Sequence, residues 1–217
     1  FSFKDTDGLT FESAYGMLCM KLAFAFQDYQ FLLDDDAISD DDKGIFKRIL
    51  GRTASMDETK SCFLLLTRML EIHFKKSAVV ILDEYDVPIA KASSNGYYSQ
   101  MLDVMRAMMS TTLKDNTSLD FAVVTGCLKI AKESIFTGTN NFVSDTILSP
   151  RLSESFGFTQ ADVDQMLKDA GLESQSAEIK TWYDGYHFGD ADIYCPWDVI
   201  SYLRDFQYGV TPVSYTH

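Results

Sequence analysis

The sequence has little of what marks several common classes of protein. Its four cysteines, Cys19, Cys62, Cys127 and Cys195, have no CxxC spacing, so neither a zinc site nor a disulfide framework is indicated, and we expect buried thiols in a cytoplasmic protein. No apolar run approaches the length of a membrane span, and no signal peptide is visible. Basic residues number 19 against 32 acidic ones, a net charge of −13, and no cluster of Lys and Arg forms a basic face. We therefore predict neither direct nucleic-acid binding nor membrane association.

The sequence also lacks the glycine-rich motifs that bind phosphates. No G-x-x-x-x-G-K-[ST] string occurs, and neither Gly126 nor Gly138 is followed by Lys-Ser or Lys-Thr. The backbone cradle of a P-loop and its lysine are therefore not in this chain, and a dinucleotide fingerprint is absent too. Because the chain begins with Phe1 rather than Met, in residues typical of the end of a strand, we expect a fragment of a longer sequence.

The acidic residues are concentrated in the run LDDDAISDDDKG, which has six aspartates between Asp34 and Asp42. Such a run is typical of a solvated loop between two helices. Calcium binding is the alternative, but the run lacks the glycine and the distal Glu of an EF-hand loop. The solvated loop is the interpretation that the sequence favours.

Two short apolar runs, rich in β-branched residues, predict the strands of a parallel sheet. They are AVVIL at Ala78–Leu82 and LDFAVVTG at 119–126, and helical patterns lie before them and between them. Such runs are typical of strands buried on both faces, and the alternation of strand and helix predicts an α/β fold. Pro88 is expected to prevent a helix directly after the first strand.

Capping residues mark the expected helix ends in the first half of the chain. Thr10 precedes the first helical pattern, Ser39 and Gly51 bracket the second, and Ser55 with Glu58 has capping-box spacing before a long third helix.

The last third of the chain predicts an α-rich lobe. We expect a helix from near Thr159 to Gly171, a second helix ahead of a hairpin around Gly189, and a final helix with Pro196 at its first position.

Two acids, Asp83 and Glu84, follow the first predicted strand. In open α/β sheets, ligands bind beyond the carboxyl ends of the strands, where an aspartate can hold Mg²⁺ directly or through water. A glutamate one residue later can orient and deprotonate water. Four apolar residues followed by Asp-Glu are typical of phosphate-hydrolysing nucleotide enzymes, although the same pattern also fits two surface acids at a strand end.

Polar residues that follow the second predicted strand extend this candidate site. The hydroxyl of Thr125 could contact a γ-phosphate or the attacking water, or Thr125 could simply end the strand before a glycine turn. Lys129 could meet a phosphate as a point charge, or it could be a solvated charge on a helix.

The same acids also allow two alternative functions, a DExD-box helicase and a carboxylate nuclease. With Asp86, the acids form the string DEYD, which matches the DExD box of helicases. That function needs basic contacts to single-stranded nucleic acid, and the charge balance is against it. A carboxylate nuclease of the PD-(D/E)XK type needs Glu-x-Lys on a following strand, and the second predicted strand has no such string.

The chain resembles the predicted AAA-ATPase-like family, found mainly in bacteria, through five ordered strings: VVILDEYDVPI, YYSQMLDVMRAMMSTTLKDN, FAVVTGCLKIAKESIFTGTNN, SESFGFTQADV and WYDGYHFGDADIYCPWDVISYL. The resemblance implies a P-loop NTPase core of the additional-strand type, with helices on both faces of a parallel sheet. By it, Asp83 resembles the Walker B metal ligand, Glu84 the catalytic glutamate and Thr125 the catalytic sensor residue. Lys129 occupies a position where the family usually has arginine, and it is the candidate for cofactor binding.

The resemblance also implies what lies around this core. Family members place a Walker A loop upstream, so the first strand and the P-loop are expected to be missing here. Residues 1–148 would be a partial nucleotide-hydrolase core and residues 149–217 an α-rich, lid-like lobe. The expected cofactors of the intact parent are ATP and Mg²⁺, and a C-terminal PD-(D/E)XK nuclease-like domain is a candidate partner in cis. The alternative is an inactive nucleotide switch or protein-interaction module.

Overall fold

The computed structural model describes residues 1–127, 135–136, 142–206 and 208–209. The chain divides into two compact units, Phe1–Asn141 and Phe142–His217. The first unit contains both strands of the predicted parallel sheet, and the second contains the predicted hairpin.

The first unit is mostly helical. Its helices are α1 (Phe11–Gln27), α2 (Asp40–Leu50), α3 (Met56–Lys60), α4 (Cys62–Phe74), α5 (Val87–Asn95) and α6 (Tyr98–Leu113), with a short 3₁₀ turn at Gln30–Asp34. The predicted caps are confirmed. The hydroxyls of Thr10 and Ser39 accept N–H groups in the first turns of α1 and α2, and Ser55 and Glu58 form a capping box at α3.

Two helix predictions are wrong. The long third helix is interrupted at Ser61, which ends α3 and precedes α4. Pro88 does not prevent a helix after the first strand, because α5 begins at Val87 and includes Pro88 in its first turn. Proline is tolerated there because the first N–H groups of a helix have no intrahelical acceptor.

The predicted parallel strands are confirmed as β1 (Ala78–Leu82) and β2 (Leu119–Val124). They run parallel and are joined through α5 and α6, as a parallel pair requires. On the other edge of the sheet, just after β1, the backbone of Asp83 bonds to the N-terminal residues. Its carbonyl accepts the N–H of Phe3 at 2.8 Å, and its N–H donates to the carbonyl of Phe1 at 2.9 Å.

The prediction that both strands are buried on both faces, with helices on each side, is wrong for the described residues. Val79 and Ile81 of β1 are 48% and 58% exposed, and their partners Phe121 and Val123 of β2 are 53% and 43% exposed. These four side chains share one face because side chains alternate along a strand, and we call it the exposed sheet face. Leu82, on the opposite face, is 1% exposed. The chain is α/β, but among the described residues its small sheet is covered on one face only.

The second unit has the elements that the sequence predicts. They are α7 (Gln160–Asp169), α8 (Ser176–Tyr183), the antiparallel strands β3 (Asp184–Phe188) and β4 (Ala191–Tyr194), and α9 (Pro196–Phe206), with 3₁₀ turns at Pro150–Leu152 and Glu173–Gln175. Gly189 turns the hairpin with a φ of +55°, a conformation that glycine adopts at little cost. The buried core of this unit consists of Val163, Leu167, Ile179, Tyr183, Tyr194, Val199 and Tyr202.

The sequence predicted neither a membrane span nor paired cysteines, and the described residues bear on both. In that part of the chain, no helix combines the length and the apolar character needed to cross a bilayer. All four cysteines are free, but the expectation of buried thiols is confirmed only for Cys62. Cys19 and Cys195 are half-buried, and Cys127, in the loop beyond the end of β2, is exposed.

Candidate functional site

The ends of the two parallel strands bring Asp83 and Thr125 together. Leu82 and Val124 are register partners at the ends of β1 and β2. The residues that follow them, Asp83 and Thr125, therefore lie side by side. The Thr125 hydroxyl donates a hydrogen bond to Oδ1 of Asp83. Asp83 is exposed and Thr125 is half-buried. Two predicted site residues, 42 positions apart in sequence, therefore form one polar pair.

This Asp83–Thr125 pair lies on the exposed sheet face. Val79, Ile81 and Asp83 alternate along one side of β1, and Phe121, Val123 and Thr125 do the same along β2. The polar pair therefore continues an apolar surface at its carboxyl end. A ligand bound at the pair would have the apolar surface beside it.

Glu84 occupies a bulge between the two strand ends. Thr125 donates its N–H to the Leu82 carbonyl at 2.8 Å, and its own carbonyl accepts the N–H of Tyr85 at 3.1 Å. Asp83 and Glu84 therefore both lie opposite the single residue Thr125, which is the pattern of a β-bulge.

The bulge requires an unusual backbone conformation of Glu84. Its φ is +55°, in the left-handed region that costs a residue other than glycine about 1 kcal/mol or more. Glu84 is half-buried, and among the described residues its carboxylate has no hydrogen-bond or ion-pair partner. Bulges are frequent beside active sites because they redirect a side chain.

A second contact, between Asp86 and the loop after β2, lies next to the pair. Asp86 is 3% exposed, and its Oδ1 accepts the N–H of Cys127 at 3.3 Å. A Cβ on Gly126 would lie 2.5 Å from that same oxygen and 2.7 Å from the ring of Tyr85. The Tyr85 ring also packs edge-on against Phe136, with 5.4 Å between the ring centroids.

In the sequence, Asp86 stands out only as the last letter of DEYD, and no pattern gives a role to Tyr85 or Gly126. The place of Asp86 just before the proline-containing first turn of α5 would suggest a helix cap, but its side chain accepts no N–H of that turn and bonds to Cys127 instead. Nothing in the sequence pairs Gly126 with Tyr85. Lys129, the predicted cofactor-binding residue, lies outside the described residues.

The oxygen atoms at this site suit magnesium in type. Asp83 offers a carboxylate and Thr125 a hydroxyl, and Mg²⁺ prefers hard oxygen ligands. Within the ranges that the structure describes, no group of three or more His, Cys, Asp or Glu side chains could hold a metal ion by itself. This donor set fits a metal that takes one or two carboxylates from protein and the rest from water and substrate phosphates.

These features define an α/β protein with an acid–hydroxyl pair at the carboxyl ends of adjacent parallel strands. A family model described as "Predicted AAA-ATPase" matches residues 2–136, which include both strands and the pair. The chain belongs to this AAA-ATPase-like family, as the resemblance had indicated.

The chain also has a curated relative. A protein of Azotobacter chroococcum mcd 1, described as "Uncharacterized protein in vnfD 5'region", is 29% identical over 157 residues. The matching region makes up 72% of this chain and 30% of that protein, so the chain corresponds to under a third of the relative's length. No solved structure matches the chain.

Proposed function

We propose that the chain is the part of an ATP-binding, ATP-hydrolysing AAA-like protein that carries the Walker B and sensor strands. The observation that carries the proposal is the Asp83–Thr125 pair at the carboxyl ends of two adjacent parallel strands. Ligands of open α/β sheets bind at such ends. Membership of a predicted ATPase family suggests, in general terms, the use of a nucleotide and Mg²⁺.

Each predicted residue has a role in this proposal. Asp83 would hold Mg²⁺. While it donates to Asp83, the Thr125 hydroxyl would orient that carboxylate and could accept a hydrogen bond from the attacking water; to contact the γ-phosphate it would turn its one hydrogen away from Asp83. Glu84 would act as the general base, since its carboxylate has no hydrogen-bond or ion-pair partner in the part of the chain that the structure describes. Lys129 would contact a phosphate. Bound Mg²⁺ would neutralise charge on the phosphates and polarise the bond that is broken.

The proposal extends to the wider architecture. The sheet would be part of a P-loop NTPase core of the additional-strand type, with the core in residues 1–148 and a lid-like lobe in residues 149–217. The strand that leads into the Walker A loop would lie beside β2, whose second edge has no strand partner among the described residues. A C-terminal nuclease-like domain in cis is the proposed partner.

The test of hydrolysis is the Glu84→Gln variant of the full-length protein. Gln keeps the size of the side chain but cannot accept a proton from water, so ATP turnover should fall by about a hundredfold or more while ATP binding is retained. Glu12→Gln, at an exposed glutamate in the first turn of α1, is the matched control. Unchanged turnover in Glu84→Gln would remove Glu84 from this role.

The 217-residue chain by itself should bind ATP weakly or not at all. It supplies the acid–hydroxyl pair but no glycine-rich loop for the phosphates. Titration with a fluorescent ATP analogue, with and without Mg²⁺, measures this. Micromolar, magnesium-dependent binding by these residues alone would contradict the expectation.

One observation favours a second function, that of a nucleotide switch or protein-interaction module. The exposed sheet face presents Val79, Ile81, Phe121 and Val123 to solvent, and parallel sheets are normally covered on both faces by helices. A partner that supplies an amphipathic helix would fit this face. ATP binding without turnover in the full-length protein would favour the switch, whereas magnesium-dependent turnover would favour the enzyme.

A further inference from the structure

We propose that Asp86 is a positioning residue, whose buried carboxylate fastens the loop after β2 to the loop after β1 and so keeps the Thr125 hydroxyl on Asp83. This inference rests on the proposed function, because it gives Asp86 a part in the same site. It concerns a residue to which the ATPase proposal assigns no role.

Thr125 is held from two sides. On the β1 side, its backbone N–H and carbonyl bond to Leu82 and Tyr85. On its carboxyl side the chain leaves the sheet through Gly126 and Cys127, and the described contact that holds this exit is the Asp86 carboxylate on the Cys127 N–H, at 3.3 Å. If this contact were lost, Thr125 would be held from the β1 side only, and the loop after it could shift.

Asp86 itself is firmly placed. Its backbone carbonyl accepts the N–H groups of Ile89 at 3.1 Å and Ala90 at 2.9 Å at the start of α5. Its side chain is 3% exposed, and a carboxylate is unfavourable in such a position unless hydrogen bonds compensate for lost water. A group anchored on a helix positions its partners more precisely than one on a free loop.

Gly126 completes the contact. Without a side chain, it lets the Asp86 carboxylate and the Tyr85 ring approach the β2 loop more closely than any other residue would allow. The two loops therefore meet directly, with Asp83–Thr125 on one side of Gly126 and Asp86–Cys127 on the other. Because Thr125 precedes Gly126, a shift of this loop would move the Thr125 hydroxyl away from Asp83.

The first measurement does not depend on ATP. In Asp86→Ala, hydrogen exchange at the Cys127 amide should become about tenfold faster, because the amide loses its acceptor. Alkylation of the exposed Cys127 thiol, read by mass spectrometry, reports on the same loop. Asp86→Asn retains a side-chain carbonyl oxygen as acceptor and should exchange near the wild-type rate. Asp120→Ala, at an exposed aspartate of β2, is the matched control.

The second measurement is turnover by the full-length protein. Asp86→Ala should lower kcat by about tenfold or more with little change in KM, because a misplaced catalytic constellation loses rate rather than binding. Asp86→Asn should restore most of the rate. In a Thr125→Val background, Asp86→Ala should have little further effect, because the two residues act through one contact.

Three outcomes would overturn the proposal. They are unchanged Cys127 exchange in Asp86→Ala, equal loss of turnover in Asp86→Asn and Asp86→Ala, and full additivity with Thr125→Val. If Asp86→Ala fails to fold, Gly126→Ala disturbs the same contact from the opposite side, since its methyl group would meet Asp86 Oδ1. Unchanged Cys127 exchange in that folded variant would equally overturn the proposal.

Failure of the proposed function would be visible separately. Unchanged turnover in Glu84→Gln, together with faster Cys127 exchange in Asp86→Ala, would leave the Asp86 contact in place but remove its link to hydrolysis. If Cys127 exchange stays at the wild-type rate in Asp86→Ala while Glu84→Gln loses turnover, the ATPase proposal is supported and the role of Asp86 is rejected.

Discussion

The exposed sheet face leads to a sharp prediction about two adjacent residues of β1. Ile81 is 58% exposed and Leu82 is 1% exposed, although both are large aliphatic residues in the same strand. Changing either residue to alanine removes three side-chain carbons, and both variants then have alanine at the changed position. The difference between the two variants therefore reports mainly on burial.

The expected magnitudes follow from the exposures. Leu82→Ala should lower the free energy of unfolding by about 3 kcal/mol, the usual cost when a buried leucine is truncated and leaves a cavity. For Ile81→Ala, three carbons at about 0.8 kcal/mol each, reduced for the exposed part, give about 1 kcal/mol. The two variants should differ by about 2 kcal/mol.

Urea unfolding of the chain, followed by far-ultraviolet circular dichroism, measures this difference. Trp182 and Trp197 both lie in the second unit, so tryptophan fluorescence follows that unit separately. Equal losses for Ile81→Ala and Leu82→Ala would refute the reasoning, because Ile81 would then be as deeply covered as Leu82.

Two further predictions concern helix starts. The Arg48 side chain and the Ser55 N–H lower the pKa of Glu58 from its ordinary value of 4.5 to about 2, so its stabilising contribution is complete above pH 4.5 and is lost as the pH falls towards 2. Glu58→Gln should flatten the pH dependence of unfolding in that window, and an unchanged slope would count against the ion pair. Thr159→Ala removes a capping box with Asp162 and should destabilise the second unit by about 1 kcal/mol in fluorescence-monitored unfolding, whereas Thr159→Ser should not.

Local patterns predicted most of the secondary structure correctly. The caps at Thr10 and Ser39 and the helix start near Thr159 could be predicted, because a hydroxyl residue just before an apolar-periodic run commonly caps a helix. The strands β1 and β2 were readable because short β-branched runs between helices fit a parallel sheet. The break at Ser61 could not be predicted, since tertiary packing overrides helix propensity at single positions.

The candidate site was only partly readable. Asp83 and Glu84 stood out because they directly follow a strand, and Thr125 because it follows the next one. The sequence does not specify the bulge at Glu84, because a bulge depends on which backbone groups of the neighbouring strand are within reach. It also does not show that Gly126 lies against Asp86 and Tyr85, since these residues are 40 or more positions apart.

By itself, the amino-acid sequence determined most helix and strand segments, their alternation in an α/β chain, and the acids that follow the first strand, because these depend largely on neighbours within a few residues. The tertiary structure alone decided that Thr125 bonds to Asp83, that Asp86 holds the Cys127 loop, and that one sheet face is exposed. These features depend on the register of two strands joined by a crossover of two helices, and on which groups lie against each face. Only the folded chain brings such groups together.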